Sequence, residues 1–262
     1  MKRKIFEPQG SISRRSYSIL GGLMFVAVFL VWSVLTYTGL VDPSFMPTPG
    51  HTLESAAQLF TDHDFVKDIG ISTYRVLAGF LISAVVALPV GLLIGTYAPI
   101  DALIEPITSF IRYLPATAFI PLFILWIGID ESEKIALIIM GSLPQLILMV
   151  AVDVRKVPHD LVEVSYTLGT KPSRVLTKII LPASLPHIVD SLRMVLGWAW
   201  TYVVVAEMVG ASAGIGYMMI QSQRMLNVGN IFVGLLTIGL LGLFFDCLFM
   251  GIKKIFFRWS ET

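Results

Sequence analysis

Ionisable side chains are rare in the apolar stretches of this sequence, and they stand out at Arg112, Arg193, Glu207 and Asp246. A charge at the centre of a membrane helix costs roughly 2.5–3.5 kcal/mol on insertion scales, so each needs a reason. Arg112 and Arg193 have two readings: they snorkel to headgroups or pair within a helix bundle, or they add positive potential along an anion's route. Glu207 reads as a partner for a neighbouring arginine or backbone group ahead of a ligand contact, and Asp246 as interfacial. Trp198, Trp200, Thr201 and Tyr202 form an aromatic–polar cluster. Trp198 and Trp200 are two apart and cannot share one helix face, so at most one turns to a pathway. Pro115 and Pro121 flank Ala116-Thr117-Ala118. Backbone broken by proline at membrane depth must be buried in protein or line a wet cavity. The segment from Tyr113 to Phe119 is therefore the first candidate for pathway lining, with a plain packing kink as the alternative.

None of this is covalent chemistry. His51, His63, His159 and His187 show no pair at metal-ligand spacing, and Cys247 is a lone cysteine that reads as a packed small hydrophobe. The nearest approach to a phosphate-binding loop, GTKPSR, lacks the Gly-x4-Gly-Lys-Ser/Thr spacing.

The elements that hold these residues follow from composition. Hydrophobic residues make up 55% of the 262 positions and charged ones 14%, far below the roughly 25% of a soluble domain. The 19 Lys+Arg and 18 Asp+Glu nearly cancel, which argues against a nucleic-acid partner. Uncharged apolar runs long enough to cross a hydrocarbon core predict an all-α membrane protein. Six helices are expected, over about 17–38, 69–97, 104–129, 135–154, 188–210 and 231–252. They form one transmembrane domain, 17–256, between an N-terminal tail (1–16) and a C-terminal tail (257–262). The first run is too long and too bulky at its end for a cleaved signal. Gly91 and Gly95 form a Gly-x3-Gly suited to close helix packing.

Lysine and arginine placement sets orientation. The N-terminal tail holds five, residues 155–187 five and the stretch after the last expected helix three (Lys253, Lys254 and Arg258), so 13 of 19 share one side, expected to be cytoplasmic. Asp42, Glu54, Asp62, Asp64, Asp130, Glu131 and Glu133 collect on the other.

The 155–187 segment carries two short amphipathic helices. Pro158 opens the first, with Leu161, Val164 and Leu168 on one face, and Gly169 ends it in a left-handed turn. Thr170 caps the second, which carries Val175, Leu176, Ile179 and Ile180 and stops at Pro182. Such a pair fits either a partner's groove or the lipid surface.

Glu163-Val164-Ser165, three residues, Gly169, nine residues and Ile179-Ile180-Leu181-Pro182 resemble the EAA signature of ABC-importer permeases; Val164 and Ser165 replace its two alanines. ALPVGLLIGTYAPID, LPATAFIPLFILWIGI and LRMVLGWAWTYVVVAEMVG look like the nitrate/sulfonate/taurine/bicarbonate branch, and the resemblance spans about residues 68–256. It implies a type I importer transmembrane domain with a cytoplasmic coupling helix. By that resemblance Glu163, Val164, Ser165, Leu168, Gly169, Thr170, Leu181 and Pro182 couple the chain to an ATPase. Arg112, Tyr113, Pro115, Ala116, Thr117, Trp198, Thr201 and Glu207 are the pathway candidates. The implied partners are a second permease (a homodimer or a paralogue), two cytoplasmic ABC ATPases, and a periplasmic or lipid-anchored binding protein, in the bacterial inner membrane. ATP and magnesium belong to the ATPase, and this chain binds no cofactor. A secondary transporter or channel would call for inverted repeats or rows of buried charge, and a membrane enzyme for clustered acids and histidines.

Overall fold

The computed structural model describes residues 13–62 and 64–257, and within them every regular element is helical. The tails expected over 1–16 and 257–262 fall mostly outside the described residues, as does His63. The helices are α1 (Arg14–Tyr37), α2 (Pro49–Asp62), α3 (Phe65–Thr96), α4 (Ala98–Tyr113), α5 (Ile120–Ile127) and α6 (Glu131–Arg155), followed by α7 (His159–Thr167), α8 (Pro172–Val175), α9 (Leu181–Met208), α10 (Ile215–Arg224) and α11 (Val228–Phe256). Five runs are long and apolar enough to cross a membrane, and a bent pair makes a sixth. The end of the bundle that carries α7 is called the lower end below.

The core is α3, α6 and α9. Val76, Phe80, Ile94, Leu146, Val150, Val195 and Val203 are buried between them. Small residues let α3 and α6 approach closely. A Cβ on Gly91 would lie 2.6 Å from Val150 Cβ and 2.7 Å from the Ile147 carbonyl, and one on Gly95 2.6 Å from Val154 Cβ. Gly79, Ser83, Ala87, Gly91 and Gly95 continue the stripe at intervals of four, so the expected Gly-x3-Gly contact is part of a longer seam. Gly91→Val should therefore cost about 1–3 kcal/mol by overpacking. Gly21→Val in α1, where nothing lies within 4 Å of an added Cβ, should cost almost nothing. Thermal melts of the two variants in detergent, with an unchanged midpoint for Gly91→Val, would contradict the seam.

α1 lies at the periphery with its apolar side chains exposed, as lipid contact requires. Trp32 ties it down by donating to the Pro47 carbonyl at 3.0 Å and stacking on Phe232. α11 packs on α9, α10 and α2, and leaves Leu240, Leu243, Phe244 and Cys247 outward. Cys247 is thus exposed on the apolar surface and not packed as expected.

Three further expectations change. The span read at 104–129 is two helices, α4 and α5, bent by 85° across Leu114, Pro115 and a 3-10 turn over Ala116–Phe119. Pro115 pushes Leu114 into the extended region (φ −75°, ψ 129°), and Pro121 fits the first turn of α5. Pro182 does not stop a helix. It sits in the first turn of α9, which runs on from α8 through a π turn over Leu176–Ile180, so the span expected at 188–210 begins much earlier. A proline's missing N–H is harmless there, and the wider turn absorbs the lost ladder bond. Thr170 is not a cap: Lys171 occupies the N-cap of α8, without a side-chain cap bond. α10 has no counterpart among the expected helices.

Candidate functional site

The turn after α7 is built by local sequence. Leu168, the C-cap of α7, bonds the Val164 carbonyl at 3.0 Å. Gly169 follows at φ +78°, its N–H bonding the Tyr166 carbonyl at 2.9 Å, and the Thr170 N–H bonds the Ser165 carbonyl at 3.0 Å. This pair of bonds closes the helix in the Schellman arrangement, and glycine is the residue that takes that φ without strain. Ser165 is buried, its hydroxyl on the Val162 carbonyl at 2.7 Å. Leu161, Val164 and Leu168 are exposed, Leu168 to 80%, so one helix face offers apolar surface with no intrachain cover. Glu163 stands beside His159 at 3.2 Å on the same helix. Leu181 and Pro182 lie at the start of α9, beyond the π turn.

Two cavities open between α4, α6 and α9. The larger, of about 500 Å³, is walled by Glu105, Ser109, Arg112, Gln145, Asp153, Arg155, Lys156, Asp190 and Ser191, among others. Its charges largely cancel in place. Arg155 pairs with Asp101 and with Glu105 (2.8 Å), Lys156 bonds Asp153 at 2.8 Å, Ser191 donates to Asp153, and Lys253 holds Asp190 at 2.6 Å. The smaller, of about 200 Å³, is walled by Arg112, Leu114, Ala116, Gly141, Gln145, Trp198 and Tyr202. Arg112 and Gln145 line both, so the two lie next to each other, the smaller one at the break after α4. Arg112 has no ion pair among the described residues, and its guanidinium lies 4.7 Å from the Tyr113 ring centroid. Cation–π contact leaves its N–H groups available.

The pathway candidates are therefore divided. Arg112, Ala116 and Trp198 are brought together around the small cavity, while Trp200 is buried, as the face argument requires. Tyr113, Pro115, Thr117 and Thr201 do not line it. They are exposed, and Thr201 donates to the Trp198 carbonyl at 2.6 Å. Arg193 faces Asp246 at 3.1 Å across α9 and α11, a structural pair. Gln145 and Tyr202 are wall residues that polarity alone did not single out as lining.

Glu207 belongs to neither cavity. It is 1% exposed near the end of α9, away from α7, and accepts from Ser72 (2.7 and 2.9 Å), Arg75 Nη1 (2.8 Å) and the Gly216 N–H (2.8 Å). Arg75 also bonds the Ala213 carbonyl at 2.8 Å and grips both Glu131 oxygens, its Nε at 2.6 Å. Asp68 receives the Gly214 N–H at 2.7 Å. The partner expected for Glu207 is thus Arg75. It is not among the charges singled out from sequence, although it too lies inside an apolar run, and that is the signal that could have found it.

A family model described as "Binding-protein-dependent transport system inner membrane component" matches residues 87–261. A "Probable ABC transporter permease protein" of Brucella abortus (strain 2308) is 40% identical over 230 residues, 88% of this chain and 91% of that protein. A "Putative aliphatic sulfonates transport permease protein" of Bacillus subtilis (strain 168) is 32% identical over 250 residues, 95% of this chain and 91% of that protein. Among solved structures, an inward-facing form of the MetNI methionine ABC transporter matches with a TM-score of 0.67. At 21% identity over 72% of this chain and 94% of that one, it is a likeness of fold.

Proposed function

The chain belongs to the family of binding-protein-dependent transport system inner membrane components, the permeases of ABC importers, and from that membership we propose how it works. It lines the pathway for a small anion, such as a sulfonate, nitrate or bicarbonate, handed over by a periplasmic or lipid-anchored binding protein. It pairs with a second permease, its own copy or a paralogue, in the bacterial inner membrane, with both termini and α7 in the cytoplasm. Two ATPase subunits bind ATP and magnesium below it.

The observation that carries this reading is the exposed apolar face of α7, closed at Gly169. A rigid, capped helix with uncovered leucine and valine suits insertion into a cleft of another protein. Nucleotide-driven closure of two ATPases would draw two such helices together and tilt the bundles above them. The work is positional, and no bond in the solute is made or broken.

Arg112 supports the anion. It is the cation at the junction of the two cavities that no carboxylate neutralises among the described residues. The aliphatic-sulfonate name of the Bacillus relative points the same way. Losing one charge-assisted contact of about 1.5–3 kcal/mol should raise the KM for a transported anion about ten- to hundredfold in Arg112→Ala, with Arg112→Lys in between. An unchanged KM in both variants would remove Arg112 from the route.

Reconstitution tests the whole. Vesicles holding this chain and its ATPase, with the binding protein outside, should accumulate labelled alkanesulfonate when ATP is hydrolysed. Accumulation that ignores ATP and follows a proton or sodium gradient would instead establish a secondary transporter.

A further inference from the structure

We propose that the cleft behind the docking segment is a site for one anionic phospholipid, its acyl chain in the cleft and its headgroup against the cations of the α8 segment. The proposal rests on the cytoplasmic placement of α7 argued above.

The cleft holds about 440 Å³ between the lower ends of α3 and α6 and the run from α7 to the π turn. Tyr97, Val154, Val162, Val175 and Leu176 wall it. An acyl chain gains by burial against those apolar side chains. Thr96, Arg155, His159 and Tyr166 add polar groups to the lining.

The depth is right for a lipid. The wall is made at the ends of two apolar helices long enough to span, α3 at Thr96 and α6 at Arg155. The charge is right as well. Arg155 on the rim is committed to Asp101 and Glu105, and His159 to Glu163, so the rim itself offers little. Lys171, Arg174 and Lys178, by contrast, are exposed and without ion pairs among the described residues. They flank Val175 and Leu176, which turn into the cleft. A basic cluster over an apolar slot at the cytoplasmic interface selects anionic over zwitterionic headgroups. The face of α7 open to a partner, Leu161, Val164 and Leu168, does not line the cleft, so lipid and ATPase do not compete. The lipid braces the docking segment from behind.

The test is native mass spectrometry of the delipidated permease–ATPase complex. It is titrated with phosphatidylglycerol, with phosphatidylcholine of the same chains, and with glycerophosphoglycerol, which has the headgroup alone. One phosphatidylglycerol per permease should be retained at least tenfold more tightly than phosphatidylcholine, and the chainless headgroup should not hold. Val162→Trp, which fills the slot without changing charge, should abolish retention. Replacing Lys171, Arg174 and Lys178 by Gln should remove the preference between the two lipids. Equal retention of both lipids by the unmodified complex, or undiminished retention in Val162→Trp, overturns the proposal. Should Val162→Trp fail to assemble, the glutamine variant decides, because it alters exposed side chains only. A complex that assembles but keeps no lipid defeats this site alone, whereas failure of any ATPase to co-purify defeats the docking reading.

Discussion

Gly169→Pro is expected to cut ATP-driven uptake at least a hundredfold while the chain still reaches the membrane in normal amount. The residue sits at φ +78°, a region closed to proline, whose ring fixes φ near −65°. Its N–H, which proline lacks, bonds the Tyr166 carbonyl, and the next bond, Thr170 to Ser165, depends on the same turn. Without them α7 has no defined end, and its exposed leucine and valine lose their fixed relation to α9. The bundle core is not involved, because nothing lies within 4 Å of a Cβ placed on Gly169. That separates two effects usually confounded in a glycine variant, strain and collision. Gly169→Ala introduces strain alone, about 1–2 kcal/mol for an alanine held left-handed, and should lower uptake only several-fold. Gly169→Asn, which tolerates that region, should fall between alanine and the unmodified chain. Uptake by vesicles and co-purification of the ATPase, scored together, check the series. Full transport by Gly169→Pro would show that α7 is not the coupling element.

The contrast between that turn and the rest of the molecule shows what a sequence can make visible. Pro158, Gly169 and the apolar spacing between them act over one or two turns, so the cap is legible in the residues themselves. The same is true of Gly91 and Gly95, whose lack of side chains has one use inside an apolar helix. The bend after α4 is half legible. Pro115 announces a break, but its 85° angle comes from Leu114 turning extended and from where α5 must pack against α6. Pro182 is misleading for the opposite reason: the π turn over Leu176–Ile180 carries the helix through a proline that would otherwise end it. Pairings across more than a hundred residues are legible only as a need: Glu207 calls for a cation, and nothing local names which one. Ser72 and Arg75 meet Glu207 only because the close α3–α6 seam and the packed end of α9 bring three helices to one point. The cavity charges teach the same lesson. Arg155 and Lys156 read as cations and are already spoken for, which leaves Arg112 as the one that matters at the junction.

Arg75→Met should destabilise the bundle by about 3–5 kcal/mol, the largest loss of stability expected from any single polar change here. The reason is asymmetry between its two carboxylates. Glu207 has a side chain 0% exposed, and without Arg75 it keeps only Ser72 and the Gly216 N–H. Those donors stabilise the anion but do not neutralise it, and water cannot reach it. Glu131 has a side chain 55% exposed and can return to solvent when its partner is lost. Glu131→Gln should therefore cost no more than about 1 kcal/mol, as exposed pairs do. The decisive variant is double. If the cost of Arg75→Met is an uncompensated buried charge, then Arg75→Met with Glu207→Gln should be more stable than Arg75→Met alone, since the second change removes the charge the first one stranded. If the cost were only lost packing of a long side chain, the two changes would add. The network also fixes the turn before α10, where Gly214 (φ +120°) leaves just enough room for the Glu207 carboxylate, so its loss should loosen that turn first. Melting midpoints in detergent give the three energies, and proteolysis between residues 209 and 216 reports the turn. Neither cavity includes Arg75, so any transport that survives in these variants should keep its KM. A raised KM with an unchanged midpoint would place Arg75 on the solute's route, and the network would then be part of the pathway and not its frame.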